Sequence, residues 1–248
     1  MIDGFKDAEQ MHKAIDRVQS PVSEELRRNH WCFRPHNGKT VIYVLLVNDY
    51  LPELCQLTIP NLRAYAERLG AEFKLITERR FSEWPITYEK IQVHELGMDN
   101  EWNVLIDADT IIHPDMPDVR QVCGPQRVGF TSRYQAHLCL RQDKYFERDG
   151  RDVGVAGGFV VTSHLCHDLW TPLEFTFEEV REHAIRVHIL DEYCISRNLA
   201  KFGFPYTGLL NPEVQHMACH LGAEGKSGAQ VEALVRKAEK LLRIWATE

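Results

Sequence analysis

The order of apolar and polar positions predicts alternating strands and helices in the first half of the chain. The segment VIYVLLV, residues 41–47, is apolar on both faces, which is typical of a central strand covered by helices on both sides. A helix that ends at Gly70 follows, because apolar residues recur there with the spacing of one helical face. These residues are Leu62, Tyr65, Ala66 and Leu69.

Three more elements continue this alternation. EFKLIT, residues 72–77, is predicted as a strand, TYEKIQVHELG, residues 87–97, as a helix, and WNVLI, residues 102–106, as a third strand. Strand, helix, strand, helix and strand within about 70 residues favour right-handed parallel crossovers. The sequence therefore predicts the α/β class and a three-layer α/β/α domain whose mixed sheet is mainly parallel in its N-terminal half.

The pattern is weaker after residue 106. RVGFTS and GGFVVTS, which begin at residues 127 and 157, are predicted as strands, and residues 176–187 and 191–202 as helices. Residues 228–246 form an amphipathic helix with a basic face. That helix can pack on the domain, on a second subunit or on an anionic membrane surface, and the pattern leaves these alternatives open.

These patterns divide the 248 residues into three parts. Residues 1–38 are an N-terminal extension, in which one helix is predicted from the helical spacing of apolar residues. Residues 39–227 are the α/β domain, and residues 228–248 are the C-terminal amphipathic helix.

Charge and cysteine content exclude several classes of protein. A net charge of -7 counts against a nucleic-acid binder, which normally has a basic face. The seven cysteines are odd in number and contain no CxxC pair, so neither a disulfide framework nor a thiolate zinc site is indicated. The N-terminus lacks the pattern of a secretion signal, and no apolar run is long enough to span a bilayer. We therefore expect a cytoplasmic protein.

The segment NVLIDADTIIHPD, residues 103–115, contains the strongest candidate site. Asp107 and Asp109 follow a buried strand and are two residues apart, so both carboxylates can point to the same side. Parallel strands end at the rim where α/β sheets bind ligands. Carboxylate pairs suit Mg²⁺ or Mn²⁺, which often share their ligand shell with phosphates. The alternatives are a turn with no ligand and a haloacid-dehalogenase-like phosphohydrolase in which Asp107 is the nucleophile.

From residue 41 to residue 226 the order of features resembles GT-A glycosyltransferases, most closely family eight, which includes glycogenin and bacterial galactosyltransferases. The resemblance implies a nucleoside-diphosphate sugar donor, with UDP as the family default, and Mn²⁺ or Mg²⁺ as the cofactor. It implies transfer, with retention of configuration, to a hydroxyl of a glycan, protein or small-molecule acceptor. A non-catalytic sugar-nucleotide-binding protein would share these features.

The resemblance also implies roles in donor binding. VNDYLPEL, from residue 47, resembles the family loop that holds the base and ribose, and YEKIQVHEL resembles the helix whose lysine reaches the donor. VAGGFVVTSH resembles the turn that lines the sugar pocket, although Val155-Ala156 stand where the family has Asn. The implied donor-binding residues are Asn48, Asp49, Tyr50, Lys90, Asp107, Ala108, Gly157, Gly158 and Gly222.

The implied catalytic and metal residues lie at three places. LDEYCIS resembles the family's Asp-Gln pair, so Asp191 would contact sugar hydroxyls and Glu192 would lie near the reacting carbon. HLGAEGKSG resembles the His-x-Gly…Lys segment, with one extra residue before the lysine. His220 would complete the metal shell of Asp107 and Asp109, and Lys226 would bind the β-phosphate. His216 is a competing metal ligand. If the reaction inverts configuration, Asp191 or Glu192 would be the base.

Overall fold

A computed structural model describes residues 36–131, 133–134, 146, 154–184, 186–209, 217–222 and 225–247. The helix predicted in the N-terminal extension and the competing ligand His216 lie outside this range. In the part of the chain that the structure describes, no helix is long and apolar enough to cross a membrane.

The described strands, in chain order, are β1 (Thr40–Leu45), β2 (Glu72–Ile76), β3 (Trp102–Ile106), β4 (Thr110–Ile112), β5 (Val128–Phe130), β6 (Arg133–Tyr134), β7 (Gly154–Val155), β8 (Phe159–Ser163), β9 (Tyr206–Gly208) and β10 (Ala218–His220). The described α-helices are α1 (Pro52–Arg68), α2 (Val93–Leu96), α3 (Val119–Cys123), α4 (Phe177–His183), α5 (Leu190–Lys201) and α6 (Ala229–Trp245). Short 3₁₀ helices cover Ile86–Gln92, His164–Trp170 and Val187–Ile189.

A six-stranded sheet in the order β2-β1-β3-β8-β5-β9 forms the centre of the molecule. β1 pairs in parallel with both β2 and β3, and β5 pairs in parallel with β9. β8 runs antiparallel to both of its neighbours, β3 and β5. The predicted α/β class and the mainly parallel mixed sheet are confirmed.

Alternate residues of β1 face two different cores, as the side-chain period of a strand requires. Val41 and Tyr43 pack into one apolar cluster with residues of α5. Ile42 and Val44 pack on the opposite face with residues of α1 and α3. Helices therefore cover both faces of the sheet, which gives the three layers that the doubly apolar strand predicted.

The segment predicted as one helix over residues 87–97 is instead a 3₁₀ helix, Ile86–Gln92, followed by the single turn of α2. It has no exposed face along most of its length, because five consecutive residues from Tyr88 to Gln92 are buried. Two of these buried residues, Glu89 and Lys90, are charged. A regular amphipathic helix would place one of its faces in solvent.

α6 packs against α1 on one side of the domain. Four buried residues, here called the α6 cluster, pack together at this place: Leu54 of α1, Ala238 of α6, Ile111 of β4 and Leu221, which follows β10. The side chain of Trp245, in the last turn of α6, lies edge-on to His113 with ring centroids 5.0 Å apart. The basic side chains of the helix, including Lys237 and Lys240, are exposed on its other face.

Candidate active site

The acidic pair lies in the tight connection between β3 and β4, at the rim of the central sheet. The Asp107 amide donates to the Gly158 carbonyl at 2.8 Å, and the Thr110 amide donates to the Asp107 carbonyl at 3.1 Å. The hydroxyl of Thr58, from α1, donates to the Ala108 carbonyl. The backbone around the pair is therefore held by the turn that precedes β8, by β4 and by α1.

His220 reaches the pair because β10 runs antiparallel to β4 and places His220 opposite Thr110. Its Nε2 lies 3.1 Å from Asp109 Oδ1 and 3.7 Å from Asp107 Oδ2. The hydrogen bond with Asp109 raises the pKa of His220 against the opposing effect of burial. The structure thus brings together the three predicted metal ligands.

The donor set fits a divalent cation. One atom each from Asp107, Asp109 and His220 lie within 4.8 Å of one another, whereas two ligands at about 2.1 Å from one ion are at most about 4.2 Å apart. His220 Nε2 already lies within this limit of one oxygen of each carboxylate. Two carboxylates and an imidazole suit Mn²⁺ or a similar ion.

Lys90 is buried at the centre of the site rather than solvated. Its Nζ lies 2.7 Å from Asp107 Oδ1, 3.1 Å from Asp191 Oδ2 and 3.3 Å from the Gly157 carbonyl. Burial on its own would lower the pKa of Lys90, but the charges of Asp107 and Asp191 outweigh burial and raise it. Lys90 therefore stays charged and links the end of β3 to the start of α5.

Glu192 lies beside this ion pair at the start of α5. Its Oε1 accepts a hydrogen bond of 3.1 Å from the Gly157 amide. Its Oε2 is buried and has no hydrogen-bond partner among the described residues. Burial, followed by the charge of Asp191, raises the pKa of Glu192 to about 8. Burial thus favours the protonated form of this side chain, which can donate a hydrogen bond to a ligand.

The pKa of Glu192 makes stability depend on pH. Its folded value of about 8 exceeds the ordinary value of 4.5. The folded state therefore holds an extra proton between these values, and stability falls as the pH rises through that window, by up to about 1.4 kcal/mol per pH unit. We expect Glu192→Gln to remove this slope. Denaturant unfolding of both proteins in EDTA, from about pH 5 to pH 9, measures it. Parallel stability curves would show that Glu192 ionises normally.

The turn Gly157-Gly158 lies directly against the carboxylates, as its small residues suggested. A Cβ on Gly157 would stand 2.9 Å from Asp191 Oδ2, and one on Gly158 would stand 3.0 Å from Asp107 Oδ2. A side chain at either position would therefore have to displace a carboxylate of the site.

We expect Gly157→Ala to weaken by about tenfold the binding of UDP with Mn²⁺, the ligands that the sequence resemblance implies, because a displacement of 1 Å at such a site can cost about 10²-fold and the shift needed here is smaller. Titration of UDP in the presence of Mn²⁺ measures the loss. Gly208→Ala is the matched control, since a Cβ there meets nothing within 4 Å. Equal affinities in the two variants would contradict the close approach.

The loop after β1 has an unusual backbone. Asn48, Asp49 and Leu51 have φ angles of 57°, 49° and 40°, in the left-handed region that Asn and Asp tolerate and that is strained for leucine. Asn48 and Tyr50 line the cavity described below. Asp49 is exposed and is not among the lining residues.

The glycine-rich segment after β10 places Gly222 at the cavity but not Lys226. Gly222, Gly225 and Gly228 have positive φ angles, between 51° and 70°. The Lys226 ammonium donates to the Gly222 carbonyl of its own segment, and Lys226 is not among the lining residues. The predicted contact of Lys226 with a β-phosphate would require the segment to rearrange.

A cavity of about 420 Å³ joins these groups. Its lining includes six ionisable residues of the predicted site: Lys90, Asp107, Asp109, Asp191, Glu192 and His220. The sequence did not identify six of its lining residues: Leu45, Val47, Ile86, Thr87, His188 and Ile189. The Thr87 hydroxyl donates to the His188 carbonyl at 2.8 Å and joins the two short 3₁₀ helices that carry them. Thr87 and His188 each stand three residues before a predicted site residue, Lys90 and Asp191, and this closeness in the sequence could have identified them.

Neither a scan against protein-family models nor a sequence comparison with curated proteins gives a match. Comparison with solved structures gives similarities of fold. The galactosyltransferase LgtC, solved with donor and acceptor sugar analogs, is 12% identical, with 81% of this chain and 96% of that chain covered and a TM-score of 0.42.

Two other solved structures are also similar. A Drosophila galactosyltransferase mutant complexed with manganese, UDP-Gal and xylobiose is 12% identical, with 79% of each chain covered and a TM-score of 0.42. The inositol-1-phosphate CTP transferase of T. maritima is 11% identical, with 83% of this chain and 98% of that chain covered and a TM-score of 0.38.

Proposed function

We propose that the chain is a metal-dependent glycosyltransferase that moves a sugar from a nucleoside-diphosphate donor, UDP being the expected nucleotide, to an acceptor hydroxyl. The observation that carries this proposal is the convergence of Asp107, Asp109 and His220 in a cavity that also contains a buried, charged Lys90. Two acids, a neutral or charged imidazole and a lysine at a sheet rim suit a cation that itself binds phosphate oxygens.

Each group has a distinct role in this proposal. Asp107, Asp109 and His220 would hold Mn²⁺ or Mg²⁺, which when bound would stabilise negative charge on the departing diphosphate. Lys90 offsets part of the negative charge of Asp107 and Asp191 and fixes their orientation, which its short contacts with both carboxylates support. Asp191 would accept hydrogen bonds from donor-sugar hydroxyls, and protonated Glu192 would donate one near the reacting carbon.

The same arrangement favours retention over inversion of configuration. An inverting transferase needs a base that accepts the acceptor's proton. Asp191 is already paired with Lys90, and Oε1 of Glu192 already accepts a hydrogen bond from the Gly157 amide. We therefore propose that the transferase retains configuration and uses neither carboxylate as a base.

The phosphohydrolase alternative receives less support from the geometry. Phosphohydrolases of that kind have a lysine downstream of the nucleophilic aspartate, whereas Lys90, the lysine that contacts Asp107, lies upstream of it in the chain. In that alternative Asp107 would carry a phosphoryl group during turnover, and phosphate would be released from simple phosphoesters without any sugar nucleotide.

A thermal-shift screen of sugar nucleotides, each with and without Mn²⁺, tests the proposal. Binding at 100 times Kd stabilises the folded state by about 2.7 kcal/mol, which is readily detected. We expect one donor to raise the melting temperature only when Mn²⁺ is present, and that donor then to release its nucleoside diphosphate when an acceptor is supplied. Stabilisation without transfer or donor hydrolysis would identify a binding protein, and no stabilisation by any donor would contradict the proposal.

A further inference from the structure

α6 follows the glycine-rich segment and lies outside the cavity, yet its buried face adjoins the residues that form the cavity wall. Ala238, near the middle of α6, is completely buried. It belongs to the α6 cluster together with Leu54 of α1, Ile111 of β4 and Leu221. α6 is therefore in contact with more than the neighbouring helix.

Three segments that line the cavity also contact the α6 cluster. In each of them, a residue of the cluster, or one packed against it, lies within two residues of a lining residue. Asp109 lines the cavity and Ile111 is in the cluster. His220 lines the cavity and Leu221 is in the cluster.

The third segment is the strained loop after β1. Tyr50 lines the cavity and also packs against the α6 cluster, as does Leu51. The φ angle of 40° at Leu51 is a conformation that costs about 1–3 kcal/mol and persists only where the surroundings enforce it. Packing of the Leu51 side chain against the α6 cluster can hold the backbone in this conformation.

We infer that α6 is a positioning element of the donor site, which holds the loop at Asn48–Leu51 and the strands β4 and β10 in register through the α6 cluster. The expected effect of α6 on donor binding rests on the proposed function, whereas its expected effect on the backbone does not. α6 touches no ligand in this account; it acts through Tyr50, Asp109 and His220.

Hydrogen exchange of two backbone amides measures the positioning role of α6 directly. The Leu221 amide donates to the Asp109 carbonyl at 2.9 Å, and the Cys55 amide donates to the Leu51 carbonyl at 3.0 Å. Loosening the α6 cluster should expose these two amides to hydrogen exchange, whereas amides of β2, at the far edge of the sheet, should keep their protection.

The test variant is Ala238→Leu, which overfills the cluster and pushes α6 outward. Lys237→Leu is the matched control, since Lys237 is exposed on the same helix. We expect Ala238→Leu to speed exchange in peptides covering residues 47–55 and 218–222, and to raise the Kd for UDP with Mn²⁺ by about tenfold, in line with displacements below 1 Å. The control should match the wild type in both measurements.

A milder pair of variants serves if Ala238→Leu does not fold. Leu242, which packs partly buried against the cluster, is changed to alanine to loosen it and to methionine to keep its volume. We expect Leu242→Ala to show both effects and Leu242→Met to restore wild-type exchange and affinity.

The outcomes separate the two proposals. If the wild type binds neither UDP with Mn²⁺ nor any donor of the thermal-shift screen, the proposed function fails, and faster exchange at the two wall segments still supports the positioning role of α6. If the wild type binds UDP, and the loosened variants exchange faster within α6 alone and bind UDP as tightly as the wild type, the inference about α6 is overturned.

Discussion

Asp109→Asn is expected to lower sugar transfer by about a thousandfold, since a bound divalent cation contributes several kcal/mol to charge stabilisation and each 1.4 kcal/mol is about tenfold in rate. Asp109 is buried, and its Oδ1 lies 3.1 Å from His220 Nε2. Asparagine keeps the size of the side chain but removes the charge that a divalent ion needs. Transfer and Mn²⁺ affinity, measured side by side, should both fall.

Asp115→Asn is the matched control for this variant. Asp115 is the third aspartate of the same segment, but it is exposed, and its amide contacts His113 outside the acidic pair. Its substitution should leave both Mn²⁺ affinity and transfer unchanged. Full transfer by Asp109→Asn, or equal losses in the two variants, would remove Asp109 from the metal site.

Lys90→Met is expected to cost about 3–5 kcal/mol of unfolding free energy, the typical penalty for leaving a buried charge without its partner. Lys90 is only 6% exposed, and it pairs with both Asp107 and Asp191. Removing it leaves two carboxylates facing each other in a poorly solvated site. Denaturant unfolding measures the loss, and donor binding should fall with it because the carboxylates reorient.

Two further variants calibrate this effect. Lys39→Met breaks an ion pair with Glu72 in which the side chains are 60% and 53% exposed, so we expect a loss of about 0–1 kcal/mol. The double variant Lys90→Met/Asp191→Asn removes one of the stranded charges and should recover part of the stability lost in Lys90→Met. A loss in Lys90→Met as small as that in Lys39→Met would show that Lys90 is not buried between the two acids.

The central strands and the acidic pair could be predicted from the sequence because their signals are local. A doubly apolar segment such as residues 41–47 has few alternatives to a covered strand. The apolar strand before Asp107 and Asp109 places them at the rim of the sheet, although a turn between β3 and β4, and not an extended strand, brings their carboxylates together.

Other parts of the site depend on contacts between residues that are far apart in the sequence, and local patterns could not predict them. β4 and β10 have three residues each, too few for a periodic signal, yet their pairing places His220 beside Asp109. Lys90 lies in a segment that resembled an amphipathic helix, and only tertiary packing shows that it is buried. The sequence around Lys226 likewise gives no indication that its side chain contacts its own loop.

Diffraction from crystals grown with Mn²⁺ and UDP, with the anomalous signal of manganese recorded, tests the central claim most directly. We predict one manganese peak at about 2.2 Å from a carboxylate oxygen of both Asp107 and Asp109, with His220 and the diphosphate in the same shell. The account is contradicted if the peak lies elsewhere, if the two carboxylates point in opposite directions, or if crystals soaked in a phosphoester show a phosphoryl group on Asp107.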